Sequence, residues 1–192
     1  GIDLWTVPAH YPSPVYRMPT ALRLAYNKAA IAIGVAKGSL EVFADIAKNK
    51  IPMLTSASLA NRGIAQYRMG VAEATYRASR AWLMESMTAV ENELTGNSDL
   101  PGAKTTQDAR LACTHAANEC MKVVDLLHNT AGTTGMRTFS PLERKLRDSH
   151  GAATHRWVAH PLYEDLGKIL LGIEAGPEFA GGTGAPVLPG PK

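Results

Sequence analysis

The stretch Ser140–Trp157, "SPLERKLRDSHGAATHRW", decides how the rest of the chain is read. Ser140 can accept from the free amides at a helix start, and Pro141 is preorganised for the first helical position. Glu143 stands where a capping box places its acid. Leu142, Leu146, Ala153 and Trp157 follow at helical steps, and the spacing predicts a helix from Ser140 to about Leu171, bent at Pro161. Working outward, three earlier segments carry the same period. From about Pro19 to Asn49 the stripe is Leu22, Ala25, Ala29, Ile33, Ala36, Leu40, Phe43 and Ala47, with Gly34 and Gly38 suggesting close helix approach. From Leu59 to Leu94 it is Ile64, Tyr67, Val71, Ala74, Ala78 and Trp82, ended by the turn chemistry of "TGNSDLPG" (95–102). The next helix starts near Thr105, read as its N-cap with Asp108 three residues on, and its stripe is Ala109, Cys113, Ala116, Cys120, Val123 and Leu127. "HNTAGTTGMRTF" (His128–Phe139) is the loop before the last helix.

Long amphipathic helices with short connections specify an all-α fold, an antiparallel four-helix bundle. Residues 1–18 read as a lead-in arm, 19–172 as the bundle and 173–192 as an irregular Gly/Pro-rich tail. A length of 192 residues suits one domain. Charged residues at 19% and aromatics at 6% favour tightly packed helices over a β-sandwich. The net charge of +3 comes from 20 basic and 17 acidic side chains spread along the chain, with no basic run, so nucleic acid is not the expected partner. The apolar runs are short and interrupted, so no membrane span is expected, and no signal peptide is visible. The chain opens with Gly, which leaves room for residues upstream. Cys113 and Cys120 share a helix face about 10 Å apart, too far to bridge each other. Reduced thiols filling a helix face fit a cytoplasmic protein.

The six histidines raise the question of a metal. His150, His155 and His160 turn by about 140° at each five-residue step, so one helix cannot converge them on an ion. No Glu-x-x-His pair is present, and no metal site is expected. Arg144 and Asp148 are an i,i+4 pair on what reads as a solvated face, and Asp148 and His155 fall on nearly the same side two turns apart. On spacing alone, any one of these histidines is structural before it is catalytic.

"AGTTGMRTFSPLERKLRDSHGAATH" followed by "YEDLGKILLG" resembles the C-terminal helical domain of the acyl-CoA dehydrogenase superfamily. The Gly-rich loop, Ser-Pro-Leu-x-Arg, Arg-Asp and Gly-x-x-Leu-Leu-Gly occur in order, and the histidine eight residues after Arg147 is similar to that of the two-component flavin-dependent monooxygenases. The resemblance covers about Thr20 to Gly172, best in the last two helices. It implies reduced FMN or FAD delivered by a separate flavin reductase, with O2 and a small aromatic or polycyclic substrate. It implies that His155 faces the flavin and the substrate, a proton-exchanging role that imidazole suits near neutrality. Gly132, Thr133 and Thr134 would approach flavin phosphate or ribityl oxygens, often across a subunit boundary. Arg147 is carried over on the cofactor side, its pair with Asp148 positioning that loop. Arg62, Gln66 and Arg68 fall where superfamily members contact a neighbour's flavin. A homodimer or homotetramer is implied as well.

Two departures from the family pattern stand out. The loop before the last helix carries no acid, which weakens acyl-CoA dehydrogenation. The N-terminal helical and middle β-domains of full-length members have no counterpart here, so the chain reads as one domain of a longer flavoenzyme and should bind flavin poorly by itself. Alternatives are an acyl-CoA dehydrogenase-like oxidoreductase or N-oxygenase on the same fold, and a non-catalytic oligomerisation bundle.

Overall fold

A computed structural model describes residues 13–96 and 100–173. The described residues are helical without strands: α1 (Pro14–Arg17), α2 (Thr20–Asn49), α3 (Gly63–Thr95), α4 (Ala103–Ala131), α5 (Pro141–Ala153) and α6 (Leu162–Leu170). Single 3-10 turns at Leu59–Asn61 and Gly132–Thr134 lead into α3 and follow α4. The expected lead-in arm and tail fall largely outside the described residues.

The connections run up and down. Lys50 at the end of α2 donates its Nζ to the Ala131 carbonyl at the end of α4 (2.6 Å), while Arg68 at the start of α3 reaches Thr130 (3.4 Å). At the other end, the Arg17 guanidinium donates to the Leu94 carbonyl at the close of α3 (2.5 Å). α4 is the hub. It packs broadly against both α2 and α3 and also against α5 and α6, whereas α2 and α3 meet narrowly. The seam between α2 and α4 is built from alanine and cysteine: Ala25, Ala29, Ala32 and Ala36 on one helix, Ala109, Cys113, Ala116 and Cys120 on the other, all fully buried. Small side chains let two helix backbones approach closely. Leu22, Phe43, Leu94, Leu127, Leu142 and Val158 then fill the volume around that seam.

Several expectations are corrected. The α3 stripe read from sequence faces outward: Ile64 is 50% and Tyr67 69% exposed, and Val71, Ala74 and Ala78 are also on the surface. The inward face is Ala65, Ala72, Ser79, Leu83, Ser86, Val90 and Leu94, where serine and alanine hide the period from a hydrophobicity count. Thr105 is not the cap of α4. Glu93 of α3 reaches across instead, accepting from the Gly102 amide (2.6 Å) and the Thr105 hydroxyl (2.5 Å). Gly34 has open space where a Cβ would stand, while Gly38 makes room for the end of the Lys145 side chain. At α5, Ser140 does cap, its Oγ accepting from the Leu142 amide (3.4 Å). Glu143 does not complete the box, because it is bound to Arg147.

The largest correction concerns the last helix. It does not bend at Pro161 but ends at Ala153, and residues 154–161 form a run of turns before α6. Leu142 and Ser149 face inward seven residues apart, so an unbroken helix would aim Arg156 into the core. The break sends exposed Arg156 outward and lets Trp157 and Val158 turn in. Thr154 seals the end, donating both its amide (3.0 Å) and its hydroxyl (2.8 Å) to the His150 carbonyl.

Candidate functional site

His155 is the second residue after α5, and the turns around it set its ring. Its amide donates to the Ala152 carbonyl (3.3 Å) and its carbonyl accepts from the Val158 amide (2.9 Å). The Trp157 amide points at His155 Nδ1 (3.4 Å). A nitrogen that accepts carries no proton, so in the neutral ring Nε2 bears the hydrogen. Partial burial disfavours the charged ring, and the Lys28 ammonium on α2 adds to that, together pulling the His155 pKa below its ordinary value. His155 is therefore an uncharged donor at neutral pH.

Close by in the same turn, the Trp157 ring meets two guanidinium groups, Arg110 of α4 at 5.5 Å and Arg156 at 5.6 Å from its centroid. Arg110 is buried, and desolvation lowers its pKa to about 10, which leaves it charged. Asn118, buried on α4, donates its amide nitrogen to the carbonyls of Thr114 (2.8 Å) and Val158 (2.9 Å). Neither Arg110 nor Asn118 was singled out from sequence. A signal was present: Arg110, Thr114 and Asn118 follow at four-residue steps beside the apolar stripe of α4.

The other candidates lie elsewhere. Gly132 takes φ +59°, a backbone region open to glycine, and with Thr133 it is exposed at the end of α4. The Lys50 ammonium stands 3.6 Å from where a Gly132 Cβ would be. An exposed glycine backbone, two threonine hydroxyls and an adjacent ammonium fit phosphate or ribityl oxygens. Asn118, level with the His155 turn, precedes Ala131 by thirteen helical residues, so the loop and His155 are about 20 Å apart along the bundle axis. One chain does not bring them together.

Arg147 is exposed and forks onto Glu143 (2.8 and 3.0 Å), while Asp148 faces Arg144 (3.6 Å). The expected Arg147–Asp148 pair is thus two separate i,i+4 pairs along α5. The remaining described histidines have structural neighbours: His115 stacks near Trp82 (5.1 Å), His150 meets Asp125 (2.9 Å), His160 meets Tyr163 (5.2 Å), and Gly135 packs against His128. No group of three or more His, Cys, Asp or Glu among the described residues could hold a metal ion. No described helix is long and apolar enough to cross a membrane. An open groove of about 740 Å³ runs between α2 and α3 past Lys37, Glu41, Tyr76 and Arg80, away from His155.

Residues 26–160 match the family model described as acyl-CoA dehydrogenase, C-terminal domain. The chain belongs to that family. Its curated relatives include the indole-3-acetate monooxygenase of Acinetobacter baumannii, 28% identical over 90% of this chain and 44% of the relative. The oxygenase component of p-hydroxyphenylacetate 3-hydroxylase from the same species is 28% identical over 87% of this chain and 40% of its own. Among solved structures, the HsaA monooxygenase of M. tuberculosis superposes with a TM-score of 0.74 at 19% identity, over 86% of this chain and 43% of that one. XiaF from Streptomyces, solved with FADH2 and glycerol, gives 0.75 at 18% identity, over 97% and 43%. The chain thus spans less than half the length of these relatives.

Proposed function

We propose that this chain is the C-terminal part of a flavin-dependent monooxygenase that hydroxylates a small aromatic substrate with O2. Reduced flavin, FMN or FAD, would come from a separate reductase. The family membership and the oxygenase names of the relatives support the reaction class. The observation that carries the site is His155, set in a turn between α5 and α6 with the Trp157 amide directed at its Nδ1.

When bound, reduced flavin supplies the two electrons that split dioxygen, one oxygen atom going to the substrate and the other leaving as water. The chain's own groups do the rest. His155 keeps a proton on Nε2 and presents it as a hydrogen-bond donor to developing charge on a substrate or dioxygen oxygen. Taking a proton itself requires Nδ1 to give up the Trp157 amide, so the donor role comes first and the base role second. Gly132, Thr133 and Thr134, with Lys50, would hold phosphate or ribityl oxygens by amide, hydroxyl and charge. Arg147 would act on the cofactor side only by releasing Glu143.

Because the loop and His155 are so far apart, we assign the loop to a flavin whose ring faces another copy's His155. That arrangement requires a homodimer or homotetramer. Sedimentation of the full-length protein as a monomer at high concentration would contradict it. The buried thiols Cys113 and Cys120, both pushed up to about 12 by desolvation, are unreactive and suit a cytoplasmic protein.

The central test is His155→Ala in the full-length protein. Hydroxylation supported by reduced FMN or FAD should fall about 10²- to 10⁴-fold with folding intact; unchanged turnover sinks the assignment. Oxygen uptake with reduced flavin, set against dye reduction by an acyl-CoA, separates this reading from a dehydrogenase. The acid-free loop at 128–139 argues for the oxygenase.

A further inference from the structure

We infer that Asn118 is the positioning residue for His155: its buried amide clamps the turn after α5 to α4 and fixes how the imidazole is presented. The inference rests on the proposed role of His155 for its functional meaning, but its geometry stands alone.

A continuous set of hydrogen bonds joins the two residues. Asn118 Nδ2 donates to the Val158 carbonyl (2.9 Å), the Val158 amide donates to the His155 carbonyl (2.9 Å), and the His155 amide donates to the Ala152 carbonyl (3.3 Å). Val158 is thus held through both of its backbone groups. Between Val158 and His155 lies Trp157, whose amide is directed at His155 Nδ1 (3.4 Å). Shifting Val158 would move that amide and release the ring.

The chemistry of the position supports a specific role. Asn118 is 3% exposed, on a helix whose other buried residues are mostly Ala, Cys, Val and Leu. A buried amide there costs free energy unless its protons are used. Both are: one goes to its own helix at Thr114 (2.8 Å) and the other to the turn. Thr114, the neighbouring buried polar residue, spends its hydroxyl on the Arg110 carbonyl within α4 (2.9 Å). Of these two, Asn118 is the one whose bond leaves the helix for the turn. The Val158 carbonyl would otherwise be a buried acceptor facing the bundle, since Val158 is fully enclosed.

Three cations lie near the turn, Lys28 from α2, Arg110 from α4 at the Trp157 ring and Arg156 within the turn; His160 is in the turn itself, against Tyr163 of α6, which feels the Glu119 carboxylate of α4. Burial in the turn and the Lys28 ammonium lower the His155 pKa, and both act only while the ring stays in place. Loosening the clamp gives the imidazole more water and more distance from Lys28.

The test uses the full-length protein with isotope-labelled histidine and tryptophan, and NMR of those residues. In the parent protein, a cross-peak should link the Trp157 amide to the His155 ring, and His155 should titrate below an ordinary histidine. In Asn118→Leu, which keeps the volume and removes the donor, the cross-peak should disappear and the His155 midpoint should move up. If the variant melts earlier while both His155 signals are unmoved, Asn118 only fills space and the inference falls. Should the leucine variant not fold, Asn118→Ser serves: its hydroxyl reaches the Thr114 carbonyl but is too short for Val158, and the same two outcomes decide. In the full-length enzyme, Asn118→Leu should lower kcat about 10- to 100-fold with little change in KM. If His155→Ala leaves turnover intact, the monooxygenase site fails while the NMR result on the clamp still stands.

Discussion

α3 and α4 are near-equal in length, 33 and 29 residues, and both read as apolar-striped helices, yet they live in different surroundings. α4 buries fourteen of its residues and α3 seven. The difference comes from neighbours rather than composition. α4 has helices on three sides, so even Arg110, Thr114 and Asn118 are enclosed. α3 packs mainly against α4 and leaves Ile64, Tyr67 and Val71 on the outside. A helix with two apolar faces is ambiguous until its partners are known. That outer face is also where the proposed assembly of copies would find contact surface.

The comparison breaks most sharply on paired truncations. Leu127→Ala in α4 removes a fully buried side chain and should cost about 2–5 kcal/mol in urea unfolding. Val71→Ala on α3, 38% exposed, should stay within about 0.5 kcal/mol. Equal losses would mean that α3's outer stripe is buried in solution. Overpacking comes next. Ala116→Leu pushes three extra carbons into the α2–α4 seam, where Ala29, Ala32 and Cys113 leave no room, and should cost about 1–3 kcal/mol. A neutral result would show that the two helices separate more easily than their small residues suggest.

These contrasts show what the sequence made legible. The three long helices α2, α3 and α4, the α4 stripe and the start of α5 at Ser140 followed from period and cap chemistry. The inward face of α3 did not, because Ala72, Ser79 and Ser86 carry little hydrophobic signal while exposed Ile64 and Tyr67 carry much. The end of α5 was also missed. Periodicity continued through Ala153 to Trp157, but the helix stops because going on would bury Arg156 in place of Trp157 and Val158. At the candidate site, His155 and the 132–134 loop are candidates by resemblance, which says nothing of their separation along the bundle. Distance between elements is a tertiary fact that spacing in a chain does not hold. Asn118 was available as a polar residue in a buried stripe and was passed over because its partner is a backbone carbonyl forty residues away.

A smaller effect separates the two ways helices start here. α5 begins with its own Ser140, whose hydroxyl accepts from the Leu142 amide at 3.4 Å. Ser140→Ala should lower stability by about 0.5–1 kcal/mol, the low end for a cap because the bond is long. If the change is nil, Pro141 and the packing of Leu142 start the helix unaided.

α4, by contrast, is capped from α3, and this produces a pH signature instead of a large loss. The Glu93 carboxylate accepts from the Thr105 hydroxyl and the Gly102 amide, and those bonds hold its pKa below the ordinary 4.5. A depressed carboxylate contributes fully above the unfolded-state value and loses that contribution as pH falls through the folded-state one. Glu93→Gln keeps one acceptor oxygen but has no charge to lose, so its urea midpoint should lie slightly below the parent's at pH 7. Below pH 4.5 the two midpoints should converge, the parent falling faster than the variant. Parallel acid limbs would mean that Glu93 leaves α4 in solution, and then the hub helix starts without help from the helix it most broadly supports.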